Sequence, residues 1–170
     1  ITSVSEIFRL QGADELKEAE KAYLPSSDQS FNSIVLAAAK GNLDELTKTK
    51  PKTLLKVKGK SILKHQTDLM NDLDIKDISV VRGFGKEHIK LDNIKTIDND
   101  NYEKGHDLES LYCAKDELKD NTIISFGDII YKKHVLQDLI HTKNDIVVVV
   151  DSLSTNDGSN KEFVTANSAY

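Results

Sequence analysis

The chain has 170 residues, of which 38% are hydrophobic and 30% are charged, and its formal net charge is -5. This length and composition are typical of about one globular domain, and the acidic balance argues against a nucleic-acid partner, because phosphate binding usually needs a basic face. The single cysteine excludes a disulfide framework and a cysteine-based zinc site, and no apolar run is long enough to span a bilayer. We therefore expect a cytoplasmic protein with no membrane partner.

The first 30 residues are polar and predict a helix followed by a linker. Leu16, Ala19 and Tyr23 recur at helical spacing. Pro25 cannot continue this helix, and the serines that follow it favour a turn. Because the pattern changes after this point, we predict a boundary between residues 1–30 and residues 31–170.

From residue 31 onward, apolar runs alternate with amphipathic stretches. The runs predict strands at 33–39, 78–81, 94–97, 122–126 and 146–150, and a short extended segment at 54–57. One amphipathic stretch predicts a helix capped by Ser61, with one broad face formed by Ile62, Leu63, Gln66, Leu69, Met70 and Leu73. Two more helices are predicted at 108–118, with Leu111, Ala114 and Leu118 inward, and at 133–140. This alternation predicts an α/β fold with a mainly parallel sheet.

The loop after the first strand is the first candidate site, because ligands of parallel sheets bind at the carboxyl ends of strands. The loop runs through Ala39, Lys40 and Gly41. Its alanine and glycine let backbone N–H groups approach phosphate oxygens closely. Lys52, held by the neighbouring Pro51, can neutralise phosphate charge. The alternative is an ordinary turn with solvated lysines.

Asp128 is the second candidate, because it follows the predicted strand at 122–126 and so lies at the same sheet edge. Mg²⁺ takes carboxylate oxygens together with substrate phosphates. The alternative is that Asp128 caps the helix that follows. Together, the loop, Lys52 and Asp128 indicate a charge-stabilising site for phosphoryl transfer.

These residues lie in segments that resemble the nucleotidyltransferase superfamily, in particular the domain fused behind phosphoenolpyruvate mutase in phosphonate biosynthesis. The resemblance covers roughly residues 33–170, and the segments that carry it are 34–41, 46–47, 50–52, 54–55, 59–60, 80–84, 98–102, 110–111 and 125–130. Residues 1–30 are similar to the closing helix of the mutases plus a linker. The resemblance implies a three-layer, Rossmann-like nucleotidyltransferase domain at 31–170, truncated at its C-terminus and preceded by a helical mutase remnant.

The resemblance also implies roles for individual residues. The backbone that cradles the nucleotide would comprise Leu36, Ala37, Ala38, Ala39, Lys40 and Gly41. Lys52 would contact phosphate and Asp128 would bind Mg²⁺, while Asp107 and Ser110 would lie near the base. In the implied reaction, an acceptor phosphate or phosphonate oxygen attacks the α-phosphorus of the triphosphate and pyrophosphate leaves.

We therefore expect a Mg²⁺-dependent cytidylyltransferase that transfers CMP from CTP to a small phosphonate such as 2-aminoethylphosphonate. One alternative is a sugar-phosphate or phosphocholine nucleotidyltransferase. Another is a degenerate nucleotide-binding module without catalysis, because the family has an arginine shortly after the position of Gly41, where this chain has Asn42 and Leu43. The family also takes a second metal-binding aspartate from a later strand, beyond residue 170. The expected partners are a nucleoside triphosphate and a small phosphorylated acceptor, and the sequence is compatible with a homo-oligomer.

Overall fold

The computed structural model describes residues 30–41 and 43–151. The predicted helix within residues 13–23 therefore lies outside the described residues. The described chain forms the strands β1 (Asn32–Ala37), β2 (Lys56–Val57), β3 (Lys60–Ser61), β4 (Asp77–Arg82), β5 (Lys95–Asp98) and β6 (Thr122–Phe126). Its α-helices are α1 (Ile62–Asp72), α2 (Asp107–Cys113) and α3 (Lys133–His141).

The main sheet has four strands in the order β5-β4-β1-β6, and every neighbouring pair is parallel. In this register Val35 of β1 lies opposite Val80 of β4 and Ser125 of β6. All six residues of β1 are buried, which explains why this strand reads as a continuous run rather than an alternation. The predicted α/β fold with a mainly parallel sheet is confirmed.

Helices cover both faces of this sheet, which gives the molecule three layers. One core contains Val35 and Ala37 of β1 together with α1 and α3 side chains, among them Leu63, Met70, Leu136 and Ile140. The other core contains Ile34 and Leu36 of β1, and Ala114 and Leu111 from the region of α2. Because successive strand residues point to opposite faces, β1 contributes to both cores.

Helix α1 forms as its sequence predicts. The hydroxyl of Ser61 accepts a hydrogen bond from the backbone N–H of Lys64 at 3.2 Å, which satisfies one of the free donors at the helix start. The predicted inward face is buried at Ile62, Leu63, Gln66 and Met70, and it is partly buried at Leu69 and Leu73.

Two predicted elements have wrong bounds. The segment at 54–57 is not one extended piece, because a 3-10 turn covers Lys52–Leu54 and only β2 is a strand, in a hairpin with β3. The helix predicted at 108–118 ends at Cys113 and continues as a 3-10 turn at Lys115–Glu117. The change in helical pitch rotates Leu118 outward, and its side chain is 47% exposed rather than inward.

The strand predicted at 146–150 is also wrong. These residues have no strand assignment and all are exposed, with Ile146 at 85%. A strand requires the N–H and C=O groups of a neighbour, and no described strand pairs with this run.

None of the described helices is long and apolar enough to cross a membrane.

Candidate functional site

A cavity of about 230 Å³ opens at the carboxyl ends of β1 and β6. Its walls come from the ends of these two strands, the loops that follow them, the turn after Pro51 and the first residue of α2. The residues that line it are Leu36, Ala37, Ala39, Gly41, Lys52, Thr53, Asp107, Phe126, Gly127 and Asp128. Its position agrees with the general placement of ligands in open parallel sheets.

The loop after β1 is clamped between the loops that follow its two neighbouring strands. The carbonyl of Ala38 accepts a hydrogen bond from the N–H of Phe84 at 2.9 Å, and the carbonyl of Leu36 accepts one from Gly127 at 2.8 Å. Gly127 is required for this close approach, because a Cβ at that position would lie 2.8 Å from the Cβ of Ala37. The end of β1 is thus held rigidly at the cavity wall.

Lys52 and Asp128 form an ion pair at the cavity, with 3.1 Å between Nζ and Oδ2. Their side chains are 31% and 42% exposed, respectively. Pro51 is buried and immediately precedes the 3-10 turn that begins at Lys52, so the chain that carries the lysine is anchored. Lys52 is therefore partly exposed and paired with Asp128, and its phosphate-binding role stays a prediction. Lys40 is exposed, and its Nζ lies 5.2 Å from the centroid of the Phe84 ring.

The side chain of Lys52 passes directly over Gly41. A Cβ on Gly41 would lie 2.2 Å from Cε of Lys52, and Gly41 has a φ of +79°, in the left-handed region that favours glycine. Two constraints therefore require glycine at this position. The loop after β1 and the lysine that follows Pro51 fit together only because Gly41 has no side chain.

The alternative role of Asp128 as a helix cap is wrong. Helix α3 begins at Lys133, its N-cap residue is Lys132, and no side chain caps it. Asp128 lies well before this point and makes its contact with Lys52 instead. The carboxylate therefore lies at the cavity, paired with Lys52.

Seven of the ten predicted site residues line the cavity: Leu36, Ala37, Ala39, Gly41, Lys52, Asp107 and Asp128. The structure places the other three elsewhere. Ala38 is buried in the core beneath α2, and Lys40 lies over Phe84. Ser110 is buried, and its hydroxyl oxygen accepts a hydrogen bond from the side-chain amide of Asn99 at 3.1 Å. The roles proposed for all ten residues stay predictions.

Thr53 lines the cavity, but it was absent from the predicted site. It is 3% exposed, and its buried hydroxyl oxygen has no hydrogen-bond partner among residues 30–41 and 43–151. A buried hydroxyl without a partner is costly, so an oxygen of a ligand or of water would stabilise it. Only its position next to Lys52 could have indicated from the sequence that Thr53 belongs to the site. A threonine after a lysine is too common a pair to predict a binding residue.

A charged network braces the neighbouring loop that follows β4. Nε of Arg82 lies 2.6 Å from Asp98, and Nζ of Lys86 lies 3.2 Å from the same carboxylate. The hydrogen bond from Arg82 holds the pKa of Asp98 below its usual range. The hydrogen bond to Asp100 raises the pKa of Lys86. These groups stabilise the loop that contains Phe84, whose N–H bonds to Ala38.

Comparison with known proteins gives consistent matches. Residues 19–158 match the family of MobA-like NTP transferase domains. The CTP:phosphoglutamine cytidylyltransferase of Campylobacter jejuni is 33% identical over 133 residues, which cover 71% of this chain and 53% of that protein. The 2-aminoethylphosphonate cytidylyltransferase of Lancefieldella rimae is 28% identical over 120 residues, which cover 66% of this chain and 49% of that protein.

Among solved structures, the CTP:phosphocholine cytidylyltransferase of Streptococcus pneumoniae superimposes with a TM-score of 0.56 at 28% identity. The match covers 59% of this chain and 46% of that chain. This similarity confirms the predicted nucleotidyltransferase fold. The chain spans about half the length of the curated relatives it matches.

Proposed function

The chain belongs to the MobA-like NTP transferase domain family, and we propose that it carries the nucleotide site of a cytidylyltransferase. The proposed reaction joins CMP from CTP to a small organic phosphonate or phosphate and releases pyrophosphate. The relatives named above are cytidylyltransferases, which supports CTP over the other nucleoside triphosphates.

The observation that carries the proposal is the meeting of Lys52 and Asp128 at one cavity. A lone ion pair between partly exposed groups contributes little to stability, typically about 0–1 kcal/mol. An incoming anion can therefore replace Asp128 as the partner of Lys52 at small cost. The released carboxylate then faces the same ligand.

The donor set at the cavity suits a metal that arrives with its nucleotide. The described residues contain no group of three or more His, Cys, Asp or Glu side chains able to hold a metal ion. Asp128 and Asp107 both line the cavity, and Mg²⁺ is typically held by one or two carboxylates plus substrate phosphates. These hard oxygen donors fit Mg²⁺, with Asp128 as the proposed ligand. When bound, the ion neutralises charge on the triphosphate.

The residues of this chain then have separable tasks. The backbone at Ala39 and Gly41 approaches the phosphates closely, and Lys52 contacts the negative charge that develops as the reaction proceeds. An oxygen of the acceptor forms a new bond to the α-phosphorus while the bond from that phosphorus to the bridging oxygen of pyrophosphate breaks. The electron pair leaves with pyrophosphate, whose charge Lys52 stabilises.

The proposed acceptor is a phosphonate such as 2-aminoethylphosphonate. One observation supports this choice: a relative bears that acceptor in its name. The resemblance of residues 1–30 to the closing helix of phosphoenolpyruvate mutases would agree with it and stays a prediction. Relatives with phosphoglutamine and phosphocholine in their names make those compounds the next candidates.

The test is an assay of pyrophosphate release with CTP, UTP, ATP and GTP in turn. Each nucleotide is paired with 2-aminoethylphosphonate, phosphocholine or glucose 1-phosphate, using the longest natural chain that contains this sequence. We expect turnover with CTP and 2-aminoethylphosphonate at low concentrations of both. A preference for UTP or for a hexose phosphate would contradict the proposal.

The second candidate function is a nucleotide-binding module without catalysis. It is favoured by the loop after Gly41, which has Asn42 and Leu43 where the resemblance leads us to expect an arginine. Calorimetric titration with CTP and Mg²⁺ separates the two functions. Binding without turnover for every acceptor would favour the module, and the absence of both would exclude the two functions together.

A further inference from the structure

Gln66 is a buried glutamine in the middle of α1, and its side chain makes three hydrogen bonds to one short segment. The residue is 2% exposed. Its Nε2 donates to the carbonyl oxygen of Phe126 at 2.8 Å and to that of Ile129 at 2.6 Å. Its Oε1 accepts from the hydroxyl of Ser125 at 3.1 Å.

Two of these bonds lie on either side of Asp128, the carboxylate at the cavity. Phe126 and Ile129 flank Gly127 and Asp128, so one amide holds both ends of the turn that presents the carboxylate. The N–H of Gly127 is bonded in addition to Leu36 of β1. The turn is thus anchored on one side by the central strand and on the other by helix α1.

Only an amide of this length suits the three partners. A carboxylate offers no donor when ionised and would face two carbonyl oxygens. An apolar side chain would leave those carbonyls and the Ser125 hydroxyl without this partner. The hydrogen bonds of Gln66 to the segment 125–129 therefore explain why a polar residue lies in an otherwise apolar helix face.

We infer that Gln66 is a positioning residue for Asp128, which it holds at the place where a metal–triphosphate ligand needs it. The inference depends on the proposed function, in which Asp128 contacts the metal. Gln66 touches neither nucleotide nor metal and acts only through the turn at 126–129.

The test compares Q66M with a matched variant, T67V. Thr67 is the next residue of the same helix and is 3% exposed, and its hydroxyl donates a hydrogen bond to the carbonyl of Lys64, one turn earlier in the helix. Binding of CTP is measured by calorimetry with Mg²⁺ and again with excess EDTA. Loss of an outer support of a metal ligand typically weakens metal binding about 10–100-fold. We expect Q66M to weaken Mg²⁺–CTP binding at least about tenfold, with little change in EDTA, and T67V to change neither.

A double variant with D128N provides a readout that a purely structural role would not affect. If Gln66 acts through Asp128, Q66M adds little to the loss caused by D128N alone. Fully additive losses, or an equal loss with and without Mg²⁺, would overturn the inference.

Amide hydrogen exchange tests the inference without nucleotide. Q66M should speed exchange at Gly127 and leave exchange at Val35 in the central strand unchanged. If the unaltered chain fails to bind CTP, the proposed function is wrong, and the exchange at Gly127 then decides alone. Unchanged exchange there would refute the positioning role as well.

Discussion

At the scale of single residues, the candidate site contains two opposite charges that pair with each other in the structure. Lys52 and Asp128 are 76 positions apart in the chain and 3.1 Å apart in the structure. Their pair is open to solvent, so it stabilises the fold little and can be exchanged for ligand contacts. The same weakness that makes the pair a poor structural element suits it to a binding site.

Replacing Asp128 with asparagine tests its role as the proposed metal ligand. The change keeps the shape of the side chain but removes the charge that attracts Mg²⁺ and Lys52. We expect pyrophosphate release to fall at least about 100-fold, in line with the loss of one charge-stabilising group, and the free energy of unfolding to change by less than about 1 kcal/mol. D138N on the exposed side of α3 is the control. An unchanged rate for D128N would remove Asp128 from the metal role.

Replacing Gly41 with alanine tests whether the lysine needs room above the loop. The added Cβ would lie 2.2 Å from Cε of Lys52, and the backbone at φ +79° would be strained. Gly59 is a matched control, because its φ is +83° and a Cβ there meets nothing within 4 Å. Both variants should lose about 1–2 kcal/mol of stability from the left-handed backbone.

Only G41A should in addition weaken CTP binding, because only there is Lys52 displaced. Thermal unfolding and calorimetric titration of the two variants measure these effects. Equal CTP affinities in G41A and G59A would show that the position of Lys52 is unimportant for the nucleotide.

At the scale of elements, the site is built where strands end and loops meet. The loops after β4 and β6 bond to the carbonyls of Ala38 and Leu36, so the loop after β1 is supported on both sides. The network of Arg82, Asp98 and Lys86 supports the first of these loops. Rigid elements thus present the few residues with chemistry, as precise binding requires.

The acid sensitivity of this network is a prediction at the same scale. The hydrogen bond from Arg82 lowers the pKa of Asp98 in the folded chain. Its stabilising effect is therefore complete above the unfolded pKa, about 3.9, and is lost as the pH falls through the lower folded value. D98N should show a flatter dependence of the urea midpoint on pH between about 5 and 3 than the unaltered chain. D92N, at an exposed aspartate, should retain the original slope, and a similar flattening there would contradict this assignment.

The helices and strands that a local sequence pattern determines could be predicted from the sequence. Helix α1 has a capping serine and one apolar face, and both were read from adjacent residues. The parallel strands β1, β4 and β6 were predicted from their unbroken apolar runs. Leu118 was placed wrongly because a helix can change to a 3-10 turn without a local signal, and the change rotates every later side chain.

At the scale of the whole molecule, the sheet has an exposed apolar side near β6. Ile124 and Phe126 of this strand are 46% and 42% exposed. The run at 146–150, predicted as a strand, is exposed at every position. Runs of β-branched residues without charge are prone to intermolecular strand pairing, so the described chain presents a surface suited to self-association.

We predict that V148K reduces this self-association. The charge disfavours strand pairing between copies, while the exposed position leaves the free energy of unfolding within about 0.5 kcal/mol. V57K is the control, because Val57 is an exposed valine in a short hairpin outside the run. Light scattering across a range of concentrations measures the effect. Equal scattering by V148K and the unaltered chain would show that the run does not mediate contacts between copies.

The sequence by itself determined the parallel α/β fold, the capped helix, the anchored Lys52 and the segments that indicate a nucleotidyltransferase. These features depend on apolar periodicity, turn chemistry and short motifs, all of which are local. The sequence also placed Lys52 and Asp128 at one sheet edge. Only the tertiary structure decided that they form a direct ion pair, that Gln66 holds the turn carrying that carboxylate, and that the hydroxyl of Thr53 is buried at the cavity. Each of these depends on contacts between distant parts of the chain, which no local pattern encodes. The prediction of a strand at 146–150 is wrong for the same reason, because a strand forms only where a neighbouring strand supplies its hydrogen bonds.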